Sequence, residues 1–247
     1  MPRWGAEKGL VIAGVGGDHD PQDQPLEHAP SHNVGVDLQR ICRAAADELD
    51  LLGAVVTLMT AKGSEAIAAV SDESQREVEK LQFSMGEGPG REAFASGRPV
   101  LTADLHNASR WPGYAAAALE AGVGAVYAFP LQLGASRFGV LTLYASEPRS
   151  LTRPESVACV TFAAHATDVL LDDHPGPRTT LDPTLATALR YRSEVYQAQG
   201  LVMIELGITL VDALARMRAH AYARGMDLDQ LAIEIVSGAS RLEAENG

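Results

Sequence analysis

Residues 124–144 read GAVYAFPLQLGASRFGVLTLY. Two β-rich runs, Gly124 to Leu133 and Arg137 to Tyr144, flank the turn at Gly134-Ala-Ser. Branched and aromatic residues on both sides of a glycine turn are the pattern of an antiparallel hairpin. Upstream, Ala54 to Met59 and Ala66 to Val70 flank Lys62-Gly63-Ser64 and form a second such pair. Helical patterns separate the hairpins: Val36, Leu38, Ile41, Cys42, Ala45 and Leu49 recur every three to four residues. Residues 73–82 are charged and helical, Arg91 to Ser96 form a short helix, and Pro99 to Asp104 read as a strand. Tyr114 to Ala121 is an alanine-rich helix, and Pro154 to Leu171 is a closing helix with proline at its start. Hairpins mixed with helices indicate an α+β domain with an antiparallel sheet, not a doubly wound parallel one.

The chain changes character at residues 174–184, HPGPRTTLDPT, which carry three prolines and a glycine and read as a linker or helix start. Beyond Pro183 there is no further proline, and three helices are expected. The first ends at Gly207. The second is capped by Thr209, with Asp212 at capping-box spacing and an apolar stripe of Leu210, Leu214, Met217 and Ala221. The third starts near Asp227 and places Leu228, Leu231, Ala232, Ile235 and Val236 on one face. The expected organisation is a disordered arm over 1–34, an α+β domain over 35–173, a linker over 174–184 and an all-α three-helix domain over 185–242. In the arm, Gly14, Gly16 and Gly17 lack the surrounding βαβ unit of a dinucleotide loop. Asp18, His19 and Asp20 read as a solvated tail.

Composition narrows the function classes. Of 247 residues, 46% are hydrophobic, with a mean hydropathy of −0.02, which suffices for a core. Two cysteines, Cys42 and Cys159, make neither a disulfide framework nor a zinc site, and they read as buried thiols of a cytoplasmic protein. No transmembrane run or signal-peptide pattern is found. HExxH, GxSxG and Walker A motifs are absent, and the pair His165 and Asp168, one helical turn apart, reads as surface. No catalytic residue, cofactor or metal is expected, and the chain is not expected to be an enzyme.

The net charge of −12 argues against a broad nucleic-acid surface. It is unevenly distributed: residues 190–224 hold five arginines against three acids. Arg216, His220 and Arg224 are spaced i, i+4, i+8 on one helix face, and Arg218 and Tyr222 form an adjacent pair. Arginine suits bidentate phosphate contact, and tyrosine stacks on unpaired bases. On residue chemistry alone, a solvated helix face whose arginines pair with nearby acids is the favoured reading.

Phe83-Ser-Met-Gly-Glu-Gly-Pro-Gly90, Gly97-Arg-Pro-Val100, Asp104-Leu105, Arg110-Trp-Pro112, Phe129-Pro130-Leu131 and Gly139-Val-Leu-Thr-Leu-Tyr144 carry a resemblance to GAF domains, which are small-molecule sensory modules. Residues about 181–242 resemble an ANTAR domain, a three-helix RNA-binding module. The matching positions include Gln197-Ala198-Gln199-Gly200-Leu-Val-Met203, Ala213, Leu214, Met217-Arg218, Ala221 and Leu231-Ala232. The two in this order resemble actinobacterial GAF–ANTAR transcription antitermination regulators. The resemblance implies stem-loop RNA with tandem hexaloop hairpins as partner, contacted through Arg190, Arg192, Gln199, Arg216, Arg218, His220, Tyr222 and Arg224. It also implies a signal that shifts a dimer or frees the ANTAR helices. Candidate contacts for a small-molecule ligand of the GAF-like domain are Gly86, Glu87, Gly88, Arg110, Trp111 and Tyr127. Gly90 stands where related sequences often have cysteine, and Gln199 where lysine is common. Leu185, Ala188, Val195, Val202 and Leu206 form an imperfect seven-residue seam, interrupted by Arg192 and Gln199, which suits pairing with the Pro154–Leu171 helix or with a second subunit, and a homodimer is expected. The rival reading is a dimeric small-molecule or redox sensor that does not bind RNA.

Overall fold

The computed structural model describes residues 33–61, 63–172 and 193–242. The arm, except for Asn33 and Val34, and the linker 174–184 lie outside the described residues, as do Leu185, Ala188, Arg190 and Arg192. Helix α1 (Val34–Glu48) starts two residues earlier than its periodicity suggests, because the Asn33 side chain accepts the Val36 amide at 3.4 Å. The hairpin β1 (Gly53–Met59) and β2 (Glu65–Val70) follows. Next come α2 (Ser74–Met85), α3 (Pro89–Ser96), β3 (Val100–Thr102), a 3-10 turn at Leu105–Asn107 and α4 (Pro112–Glu120). The hairpin β4 (Ala125–Leu133) and β5 (Ser136–Ala145) leads to α5 (Arg153–Asp172). The C-terminal helices are α6 (Ser193–Leu206), α7 (Leu210–Ala223) and α8 (Leu228–Val236). The strand expected over Pro99 to Asp104 is shorter, because the Asp104 carboxylate caps the 3-10 turn that follows it.

All strand pairings are antiparallel, in the order β2-β1-β5-β4-β3. Strand alternation sends side chains to two cores. Ala54, Val56, Tyr127, Phe129, Leu141 and Leu143 pack under α1 and α5. Val55, Val126, Ala128, Val140 and Tyr144 pack with Trp111 and Tyr114 under α2–α4. Helices therefore cover both faces, which is why β1 is buried along its whole length.

A third core joins Val195, Ala198, Val202, Leu214, Met217 and Leu231 of the three C-terminal helices. Two expectations change here. Val195 and Val202, read as part of a dimer seam, face this internal core, because α6 needs that stripe to hold α7 and α8. Leu210, read as part of the α7 stripe, is 49% exposed. It is the first residue of the helix, and Ala213 supplies the buried position instead. Thr209 and Asp227 cap α7 and α8 as the sequence suggests, accepting the amides of Asp212 and Asp229.

Gly139 lies where β5 meets β1, and an added Cβ would collide with the Thr57 carbonyl oxygen. Gly134, at φ 59 in the β4–β5 turn, has nothing within 4 Å of such an atom. Gly139→Ala should therefore cost about 3 kcal/mol through a backbone shift, and Gly134→Ala only about 1 kcal/mol for its left-handed conformation. Urea denaturation of both variants checks the ordering; equal costs would contradict it.

Candidate functional site

Helix α7 organises the basic face. Tyr222 is 73% exposed on it. Arg224, at the C-cap, lies 3.6 Å from the Glu234 carboxylate of α8 and keeps about half of its side chain in solvent. Arg216 is half-buried, and the His220 Nε2 is enclosed without a hydrogen-bond partner. Gln199 does not join this face. It is 8% exposed, and its Nε2 donates to the Leu210 carbonyl at 2.6 Å, because it lies on the side of α6 that faces the start of α7.

Arg218 turns away from solvent toward α2. Its Nε donates to the Phe83 carbonyl at 2.7 Å, and its guanidinium stands over the Phe83 ring, 5.0 Å from the centroid. The acceptor lies in the last turn of α2, where helix carbonyls concentrate negative potential and favour a cation. Phe83 is 1% exposed and its ring belongs to the core of α6–α8, although α2 is part of the sheet domain. Burying such a ring contributes about 1.5–3 kcal/mol. Tyr196 of α6 meets the Phe83 ring edge-on, with centroids 6.4 Å apart. The Tyr196 hydroxyl accepts the Glu65 amide and donates to the Glu65 carbonyl, both at 2.8 Å, at the start of edge strand β2. A cleft of 610 Å³ runs along this junction, lined by Val78, Leu81, Met85, Arg218, Tyr222 and Met226 among others.

The expected ligand contacts separate. Gly86 ends α2 at φ 73, and Gly88 adopts φ 143 against the Gln82 side chain, which a Cβ would meet at 2.5 Å. Glu87 caps α4: its Oε1 accepts the amides of Gly113 at 2.8 Å and Tyr114 at 3.1 Å. Arg110 pairs with Glu92 and covers the buried Trp111 ring at 4.4 Å. Tyr127 lies on the opposite face of the sheet, under α1 and α5, with its hydroxyl on the Arg149 carbonyl. Alternation along β4 puts it there, so Tyr127 and Trp111 cannot line one cavity.

Sequence reasoning missed a buried polar cluster beneath the glycine loop. The Glu79 carboxylate accepts from Thr57 Oγ1 at 2.8 Å, from Gln82 Nε2 at 3.1 Å and from the Tyr144 hydroxyl. The Gln82 Oε1 accepts the Gly90 amide at 2.7 Å. Tyr114 and Thr142 hydroxyls are enclosed nearby without hydrogen-bond partners. Burial, reinforced by the Glu79 charge, raises the phenol pKa values of Tyr114 and Tyr144 well above the usual range, so both remain protonated, and Tyr144 donates to Glu79. The available signal was the i, i+3 spacing of Glu79 and Gln82 beside Val78 and Phe83.

No grouping of three His, Cys, Asp or Glu suited to a metal occurs among the described residues. His165 and Asp168 are exposed on α5. No single described helix is long and apolar enough to cross a membrane.

The chain thus joins an α+β domain, with a polar cluster under a glycine loop, to a three-helix module whose arginines gather on and around one helix. Residues 35–172 match the GAF domain family and residues 184–236 the ANTAR domain family. The chain belongs to the GAF family and has the GAF–ANTAR architecture. GAF domains are sensory and ANTAR domains are RNA-binding antitermination modules; neither is a catalytic family. Similar solved structures include the GAF domain of a phosphoenolpyruvate-protein phosphotransferase from Coxiella burnetii (19% identity, TM-score 0.48, covering 59% of this chain and 85% of that one). The corresponding domain from Acinetobacter shows 16% identity and a TM-score of 0.47, covering 59% and 86%. A type II free methionine-R-sulfoxide reductase from Thermoplasma acidophilum shows 11% identity and a TM-score of 0.44, covering 56% and 93%. No curated protein matches the chain.

Burial pushes the Cys42 thiol up to about 12 and, with help from the Glu155 charge, Cys159 up to about 11. Both thiols stay neutral when folded. The stability linked to them is complete below pH 9.0, their ordinary value, and is lost as pH rises through these folded values. Native protein at pH 8 should therefore resist thiol-specific alkylation, with both cysteines labelled only in denaturant. Rapid native labelling would contradict this and favour a redox role.

Proposed function

We propose that this chain is a signal-responsive, RNA-binding regulator of transcription antitermination. The ANTAR helices bind stem-loop RNA under control of the GAF domain, and binding stops a terminator hairpin from forming. The observation that carries this reading is Tyr222, which stands 73% exposed on α7 one helical turn from Arg218, with Arg216, His220 and Arg224 spaced along the adjacent face. An exposed tyrosine on a helix that also carries arginines suits an unpaired loop base and its phosphates. Tyr222 stacks on a loop base, and Arg216 and Arg224 contact phosphates, as does Arg218 once its contact with Phe83 is broken. His220 lies on the same helix face as Arg216 and Arg224, and Arg190 and Arg192 extend the basic set along the chain. Gln199 acts as a positioning residue through Leu210.

The acidity of the chain sits mainly outside this segment, so binding depends on loop shape and stacking more than on bulk attraction. The GAF domain takes an unidentified small molecule as its signal. RNA with two hairpins offers two like sites, which suits a homodimer in the cytoplasm.

Electrophoretic shift with an RNA of two six-base-loop hairpins tests the reading. The full chain should shift the RNA. Tyr222→Ala should weaken binding by about 1–3 kcal/mol, the value of one stacked base, and Arg224→Ala should reduce the salt slope by about one. No shift by the wild-type chain, or equal binding by both variants, would contradict it. Light scattering should find dimers with RNA; monomers alone would count against the dimer.

A further inference from the structure

The last turn of α2 faces two ways. Gln82 points into the sheet domain, where its amide bridges Glu79 and the Gly90 amide at 3.1 and 2.7 Å. Phe83, the next residue, points outward, and its ring is enclosed by the C-terminal helices. Its carbonyl accepts both the Arg218 guanidinium at 2.7 Å and the Gly86 amide at 3.2 Å. Tyr196 holds the same module at a separate point, the backbone of Glu65. Glu65 also pairs with Arg91 of α3, so this second anchor too is tied to the segment that follows the glycine loop.

Among the described residues, the Phe83 ring, the Arg218 guanidinium and the Tyr196 hydroxyl dock the helical module. One of them uses an arginine of the RNA face. With its Nε on the Phe83 carbonyl and its guanidinium carbon over the Phe83 ring, Arg218 cannot offer the same fork to a phosphate. A second cleft, of 490 Å³, lies between Met85, Gly86, Glu87 and the Ala215, Ala219 and Tyr222 side of α7, so the loop also flanks the stacking residue.

We propose that this junction is an autoinhibitory clasp, with the last turn of α2 as its lever. The proposal rests on the RNA-binding reading above and supplies its regulation. In the docked form Arg218 is withheld and one flank of α7 faces the glycine loop. A change in the Glu79–Gln82–Gly90 cluster moves Gln82, and Phe83 moves with it because both belong to one hydrogen-bonded turn. Withdrawal of the Phe83 ring frees Arg218. A docked form favoured about tenfold lowers the apparent RNA affinity about tenfold, since only the released form binds.

The test uses the full chain and a fluorescently labelled two-hairpin RNA. Tyr196→Phe removes the hydroxyl and keeps the ring, and Phe83→Leu keeps an apolar filler with a smaller anchor. Neither residue lies on the RNA face. Both variants should bind RNA about tenfold more tightly than wild type by fluorescence anisotropy. Without RNA, both should exchange the Glu65 amide hydrogen faster. Faster exchange with unchanged or weaker RNA affinity would overturn the clasp as an inhibitory device while leaving RNA binding in place. Unchanged exchange and unchanged affinity in both variants would overturn the clasp itself. If wild type and variants alike leave the RNA unbound, the RNA-binding reading falls, and the inhibitory role falls with it.

Discussion

Phe83 is covalently part of the sensory domain and energetically part of the effector domain. Its ring fills the core of α6–α8, and its carbonyl holds Arg218. An aromatic ring of this size contributes more than any exposed ion pair at the junction, because surface pairs are worth only about 0–1 kcal/mol. The relation between the two domains therefore depends on where the last turn of α2 places one side chain. That turn ends at Gly86, whose φ of 73 lets the chain leave the helix sharply.

The glycine loop at residues 86–90 follows from the same turn. Gln82 occupies the space that a side chain at Gly88 would need, and it takes the Gly90 amide. Glu87, projecting from the middle of the loop, caps α4 and so fixes the helix that carries Tyr114. The loop is a junction between α2, α3 and α4. This accounts for its glycines without a phosphate-binding role and places the polar cluster of Glu79, Gln82 and Tyr144 directly beneath it.

Much of this was legible in the sequence. Strand alternation and helix periodicity identify the five strands and the helices covering them, and Thr209 and Asp227 announce the starts of α7 and α8. The spacing of Arg216, His220 and Arg224 is a local property of one helix and can be read directly. What was not legible depends on partners distant in sequence. Residues 73–82 read only as a charged helix, and a carboxylate is ordinarily outside; Glu79 is inside because Thr57, Gln82 and Tyr144 converge on it. Tyr127 and Trp111 look equally suited to a pocket until β4 places Tyr127 on the side of the sheet opposite to Trp111. In the sequence Phe83 is only the first residue of the Phe83–Gly90 motif, and the packed structure alone shows which core it enters. Gln199 looks like a polar contact for RNA until the α6–α7 crossing encloses it.

The central claim is that RNA and the GAF domain compete for the ANTAR module. Hydrogen exchange of the unmodified full chain, recorded with and without a two-hairpin RNA, measures this competition directly. The account predicts opposite changes in one experiment: slower exchange along α7 around Tyr222, and faster exchange of the Glu65 amide as Tyr196 leaves it. Protection at α7 with an unchanged or better-protected Glu65 amide would show that RNA binds the docked form, and would contradict the account.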